Sequence, residues 1–397
     1  MKAKTLAEAL GVKGTLVMSE EQAKQYAFDR KLADPNKQPE LFGEQVGKLR
    51  GVIIHNAKTE EEVRYALTKE AGLVVVEYKP PKSTEPHLYA PATGHIHVVN
   101  SRGVTRLRRD EALATVLQYV LPQDVRIDVS NHANHRRTAN NRFEDFAFKL
   151  VDDVFTHLNK DAVASNGRLN ILLGLHSSLD DALESNDFEV VHDKTSDYLN
   201  YRLIMVKTLS GAAEAVVNFD YIFADQAKDV LHKLYKGVIA EFSRQGIDIH
   251  LFHYGKVGIL SPAIDVGEIV LPTGAFDEEK LQYAMANGQP LPSPYQFKNQ
   301  LVTNPRASKL FYLANAGRIH SGVTVNTNSV LEQTVEGLER DLLAGGHSLD
   351  MEWIVMASLN EGSESTYPGL GNIRIFFAGI GSDKPLEGQT LGNTEYH

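Results

Sequence analysis

The sequence predicts an α/β fold in two domains, and three observations carry that expectation. Short apolar runs that read as buried strands alternate with amphipathic stretches of helical period along most of the chain. The alternation is interrupted once, by the polar linker Lys160–Arg168, and then starts afresh. The 397 residues also exceed what one ordinary core organises. The expectation is a smaller α/β domain over 1–160 and a second domain over 161–397.

Composition narrows the function classes. With 42% hydrophobic and 23% charged residues the chain has the make-up of a globular protein. A formal net charge of −10 argues against a nucleic-acid surface as its main business, so no nucleic-acid partner is expected. The absence of cysteine removes disulfides, thiolate zinc sites and cysteine nucleophiles together. Lys2 and Lys4 are followed by no apolar run, and Glu20, Glu21 and Lys24 arrive soon after, so no secretory leader is expected. No stretch approaches the ~20 apolar residues that span a bilayer. A cytoplasmic protein with no membrane partner is the default reading.

In the first domain, Asp34-Pro35-Asn36-Lys37-Gln38-Pro39 marks a turn-rich loop. Gly51–His55 reads as a strand. Thr59 with Glu62 three residues on forms a capping box that opens a helix through Lys69. Leu73–Tyr78, Gly94–Val99 and Val125–Val129 complete four strands, with a helix over Asp110–Leu121 between the last two. Asn131–Arg142 follows, holding His132, His135, Arg136, Arg137 and Arg142. The two histidines could share a helix face as metal ligands, but no third ligand is evident and the arginines repel a cation. The cluster suits a phosphate or carboxylate, or it is a solvated basic loop. Apolar residues from Phe143 to Leu158 fall at helical spacing.

Beyond the linker, Leu169–Gly174 is a strand ending in a polar loop with Ser177, Asp180 and Asp181, where backbone N–H groups could face an anion. Tyr201–Lys207 reads as a strand, Gln226–Arg244 as a helix and Asp248–His253 as a strand. That last strand runs into a glycine-spaced loop, His253-Tyr254-Gly255-Lys256-Val257-Gly258. Ile264–Asp277 holds a turn and a short hydrophobic strand. Tyr283–Gln300, with Pro290, Pro292 and Pro294, reads as an irregular excursion. Gly317–Asn326 alternates like a strand, and Ser329–Leu343 is amphipathic. Ile373–Ala378 is a buried strand. Glu352 then opens a helix and Asp383 lies just past a strand end, where α/β proteins place chemistry. Each carboxylate alone could equally be a cap or a turn residue.

The order of these parts carries a resemblance. A Gly-x-x-Gly loop at 255–258, Ile264-Asp265-Val266-Gly267-Glu268-Ile269-Val270, Gly317 to Ser321-Gly322, Met351-Glu352 and Ser382-Asp383 occur in the order found in the nucleoside phosphorylase and nucleosidase superfamily. Ser382-Asp383-Lys384-Pro385-Leu386 followed by Gly388 looks most like AMP nucleosidase, and the resemblance covers roughly 168–392. It implies a nucleoside phosphorylase-like three-layer sandwich, a mixed central sheet flanked by helices, for a catalytic second domain. It also implies a regulatory or lid-like first domain, able to lend arginines from 136–142.

The implied activity is hydrolysis of a purine nucleotide or nucleoside at its N-glycosidic bond. Asp383 and Glu352 are the implied catalytic pair, with Asp383 protonating the purine N7 and Glu352 accepting from the ribose hydroxyls. Met351, Ser382, Gly255, Lys256, His253, Ser177 and Ser321 are the implied substrate-binding positions. No cofactor and no metal are implied, and a homo-oligomer is. The chemistry is consistent, since glycosidic cleavage passes through an oxocarbenium-like state helped by hydrogen bonds to the sugar and by leaving-group protonation. Phosphorylases of this kind commonly place an arginine before the glycine-spaced loop, where this chain has Phe252 and His253. That departure favours water over phosphate as nucleophile, with Asp180 or Asp181 as base. A phosphorylase and a non-catalytic nucleotide sensor on the same fold are the alternatives.

Overall fold

The computed structural model describes residues 5–32, 49–56, 58–78, 80, 83, 85–100, 107–130, 149–150, 152–158, 163, 167–174, 188–194, 201–207, 213–219, 245–296, 298–314, 318–327, 329–351 and 373–390. The fold is α/β, and the chain divides into two compact units. The first comprises Met1–Arg142, Asn328–Gly337 and Thr390–His397; the second comprises Phe143–Thr327 and Leu338–Gln389.

The first unit holds β1 (Gly51–Asn56), β2 (Val76–Tyr78), β3 (His87–Ala90), β4 (His95–Asn100) and β5 (Arg126–Ser130), in the order β2-β3-β4-β1-β5. β1 is parallel to both neighbours, while β2, β3 and β4 run antiparallel. Val52, Ile54, Ile96 and Val98 from the central strands share a core with Ala23, Ala27, Leu113 and Leu117 from the helices Glu20–Ala27 and Leu107–Val120. The capping box forms as expected: Glu62 N–H donates to Thr59 Oγ1 (3.3 Å) and Thr59 N–H to Glu62 Oε2 (2.9 Å). Two details differ. Of the expected strand Leu73–Tyr78 only Val76–Tyr78 joins the sheet, because its partner β3 is short, and Val74 is left 74% exposed. β3 itself escaped the sequence reading because all four of its residues are buried, so it shows no alternation.

Among the described residues the second unit is built on ten strands. They are β6 (Arg168–Leu173), β7 (Phe188–Lys194), β8 (Tyr201–Lys207), β9 (Ala213–Phe219), β10 (Asp248–Ile259), β11 (Ile269–Asp277), β12 (Tyr295–Gln296), β13 (Ile319–Asn326), β14 (Gly346–Asp350) and β15 (Ile373–Asp383). The sheet is mixed, in the order β12-β11-β13-β14-β10-β6-β9-β8-β7. β15 pairs with both β10 and β11, so β11-β13-β14-β10-β15 closes into a ring. β10 makes this possible through its length: its first half pairs with β6, its last two residues with β14, and nearly all of it with β15.

The core joins Leu169, Ile171, Ile249, Leu251 and Phe377 to Leu150, Val154 and Leu158. Residues 149–150 and 152–157 are helical. The stripe of that helix thus packs in the second core, and the division falls at Arg142/Phe143 rather than at the 160–168 linker. The expected helices also shift: the one over Ser329–Leu343 starts at Val335, and the excursion after Tyr283 is helical to Ala286. The expected helix Gln226–Arg244 and the basic cluster Asn131–Arg142 lie outside the described residues. No described helix is long and apolar enough to cross a membrane.

Asp341, on the helix Val335–Leu343, is 1% exposed, and neither carboxyl oxygen has a hydrogen-bond partner. Burial, and then the charge of Glu278, push its pKa up to about 7. A raised carboxyl pKa favours the folded state fully below the unfolded value near 4, and this advantage is lost as pH rises to about 7. At about 1.4 kcal/mol per unit, the penalty at pH 8 is at most roughly 4 kcal/mol. Asp341→Asn is therefore expected to raise the urea midpoint at pH 8 and to leave it nearly unchanged at pH 4.

Candidate active site

Some of the motifs that are scattered in sequence, those at 255–258, 265–268 and 382–383, come together near the ends of β10 and β15. In the ladders, Gly258 of β10 stands between Asp383 of β15 on one side and Leu349 of β14 on the other. With strands about 4.8 Å apart, Asp383 and the end of β14 are two strand spacings from each other, roughly 10 Å. Continued two residues past its last pair, the β10–β14 register brings Met351 level with Lys256. Met351 is half-buried, and Asp350 before it is buried.

Asp383 is the last residue of β15, and not the start of a turn as its sequence context allowed. Gly381, Ser382 and Asp383 are all buried, so the strand end is covered on both faces. Ser382 Oγ lies 3.1 Å from Val257 O and is also hydrogen-bonded to Asp383 Oδ1. The Ser382 hydroxyl thus faces two acceptors, one on β10 and one on the carboxyl that follows it, which fixes the serine at the strand end.

Gly381 explains how the Val-Gly-Glu motif reaches this point. Gly267 N–H donates to Gly381 O and Gly381 N–H to Glu268 O, both at 2.9 Å. A Cβ on Gly381 would lie 2.2 Å from Ile259 Cδ1 and 3.2 Å from Asp265 O, so a larger residue there would have to displace the Ile259 side chain. Asp265 N–H donates to Glu268 Oε2 (2.8 Å), which also lies 2.8 Å from His320 Nε2. The Asp265 amide and then His320 hold the Glu268 carboxyl below its ordinary pKa. Lys384 closes the turn from the other side, with Nζ 2.9 Å from Asp265 Oδ1 and 3.3 Å from Glu387 Oε1. The Asp265, Glu268, His320 and Lys384 set was missed in the sequence, where only the spacing of Asp265 and Glu268 hints at a turn.

The glycine-spaced loop at 253–258 is a strand. β15 supplies ladder partners from Ile249 to Gly258, and Gly255 faces Gly379. His253 is buried edge-on to Phe377, and burial alone lowers its pKa to about 4. It is thus neutral near pH 7 and supplies no cation to this part of the strand. Lys256 is exposed, though the surrounding strands desolvate its amine enough to lower its pKa. Ser321 is exposed on β13, level with Leu271, and no hydrogen bond among the described residues joins it to Ser382 or Asp383. Glu352, Ser177, Asp180 and Asp181 lie outside the described residues.

No protein-family model and no curated protein matches the chain. Among solved structures it is similar to the uridine phosphorylase of Vibrio fischeri ES114 in complex with 6-hydroxy-1-naphthoic acid. That match has 14% identity, covers 55% of this chain and 79% of the other, and has a TM-score of 0.38. It is also similar to the Campylobacter jejuni 5′-methylthioadenosine/S-adenosyl homocysteine nucleosidase, at 14% identity over 55% of this chain and 86% of the other, with a TM-score of 0.40.

Proposed function

We propose that the second unit hydrolyses the N-glycosidic bond of a purine nucleotide or nucleoside, releasing the free base, with AMP as the first substrate to try. The observation that supports this reading best is the placement of Asp383 at a buried strand end, with its carboxyl hydrogen-bonded to Ser382 and Gly258 beside it. A carboxyl placed there is suited to act as the general acid that protonates a leaving purine at N7. In this reading Met351 packs against the ribose and Glu352 accepts from its hydroxyls. Lys256, level with Met351 by register, is the cation that would meet a substrate phosphate.

Water is the favoured nucleophile, because the buried, neutral His253 offers no charge to an attacking phosphate. Purified protein is expected to release adenine from AMP at a rate that does not depend on inorganic phosphate. A panel of nucleotides and nucleosides, with and without phosphate, checks both points. Base release that requires phosphate and yields a sugar 1-phosphate would make the protein a phosphorylase. Release from no member of the panel would refute glycosidic cleavage.

A further inference from the structure

At the far edge of the second unit's sheet lies a cluster unrelated to the chemistry above. We propose that Asp153, His157 and His192 bind a divalent first-row transition ion, with zinc the best fit. Their ligand atoms lie within 4.8 Å of one another. Asp153 and His157 are one helical turn apart and share a face of the helix that includes 152–157. His192 comes from β7, the last strand of the sheet order. Four strand spacings separate β7 from β10, roughly 19 Å, so this site is distinct from the one at Asp383.

Two features point to a built site. The β7–β8 register shifts between Val190 and His192, so consecutive residues Val191 and His192 are both half-buried where alternation would expose one. A bulge of this kind re-aims a side chain. Here it brings His192 Nε2 to 3.3 Å from Asp153 Oδ2, buried and without a hydrogen-bond partner. The second feature is Tyr201 of β8, whose hydroxyl donates to the same Asp153 oxygen. Metal-binding carboxylates are commonly oriented by such a donor.

The chemistry selects the ion. Two imidazoles and one carboxylate suit zinc and its borderline neighbours, whereas magnesium and calcium prefer all-oxygen sets. Ligand atoms around a tetrahedral zinc ion lie about 3.3 Å apart, so the cluster must contract by at most about 1.5 Å. The rings of His157 and His192 now stack at 4.2 Å and would turn toward Asp153 as they bind. His157 is exposed, which leaves the fourth position to water. The chain has no cysteine, so no thiolate competes for the metal.

Zinc titrated into the full chain, followed by calorimetry and thermal unfolding, tests the proposal. One equivalent is expected to bind with micromolar or better affinity and to raise the melting temperature, while magnesium does neither. His157→Ala removes a ligand without touching the core and is expected to weaken zinc binding by at least about tenfold and abolish the thermal shift. Asp153→Asn, which keeps an acceptor for Tyr201, is expected to weaken binding similarly. No zinc binding by the wild type, or equal binding by His157→Ala, overturns the proposal.

Discussion

Replacing Asp383 by Asn is expected to slow base release by at least about 10²-fold, the usual lower bound for removing a general acid. The substitution keeps the size of the side chain and an oxygen beside Ser382 Oγ, so the strand end should hold together. What disappears is the transferable proton. Without it the purine leaves as an anion from an oxocarbenium-like transition state, and the cost falls on kcat with KM little changed. The measurement is adenine release under single-turnover conditions, with the melting temperature as a check on folding. An undiminished rate would remove Asp383 from the chemistry and the proposed reaction with it.

Lys31→Met is expected to destabilise the first unit by about 3–5 kcal/mol, the range for breaking a buried ion pair from one side. Lys31 is 1% exposed and sits in the π-helical turn Phe28–Leu32. Its amine is 2.8 Å from Asp110 Oδ1 and also bonds Glu85 Oε2. Both carboxylates are themselves buried, so loss of the lysine leaves two negative charges in a medium that solvates neither. Urea unfolding followed by circular dichroism measures the effect, since the midpoint scales with stability at fixed slope. Replacing all three residues with apolar ones is expected to recover part of the loss. An unchanged midpoint in Lys31→Met would mean that water reaches the pair.

Much of the secondary structure was legible because it depends on neighbours in sequence. The capping box at Thr59 and Glu62 is a contact over three residues, and it forms as read. Strands such as β6, β8 and β13 carry apolar residues at positions their own pattern predicts. β14 was not legible, because Ser348 and Asp350 are polar yet buried, and only pairing with β10 and β13 makes that tolerable. The length of β10 was hidden by Gly255 and Gly258, which suggest a loop until β15 is set beside them. His192 carries no sequence signal, since its ligand geometry depends on a bulge and on a helix 35 or more residues away.

The sequence by itself determined an α/β chain, most of its strands, and the order of motifs that pointed to Asp383. Those properties follow from local propensity, hydrophobic period and short-range hydrogen bonds. Only the tertiary structure decided that Gly381 clasps the Gly267-Glu268 turn, that Gly258 separates Asp383 from β14, and that Ser382 is hydrogen-bonded to both Val257 and Asp383. It also decided the Lys31 and Asp153 clusters. Each of these depends on strand register or on a buried contact between distant residues, and register is set by pairing partners that no local stretch contains.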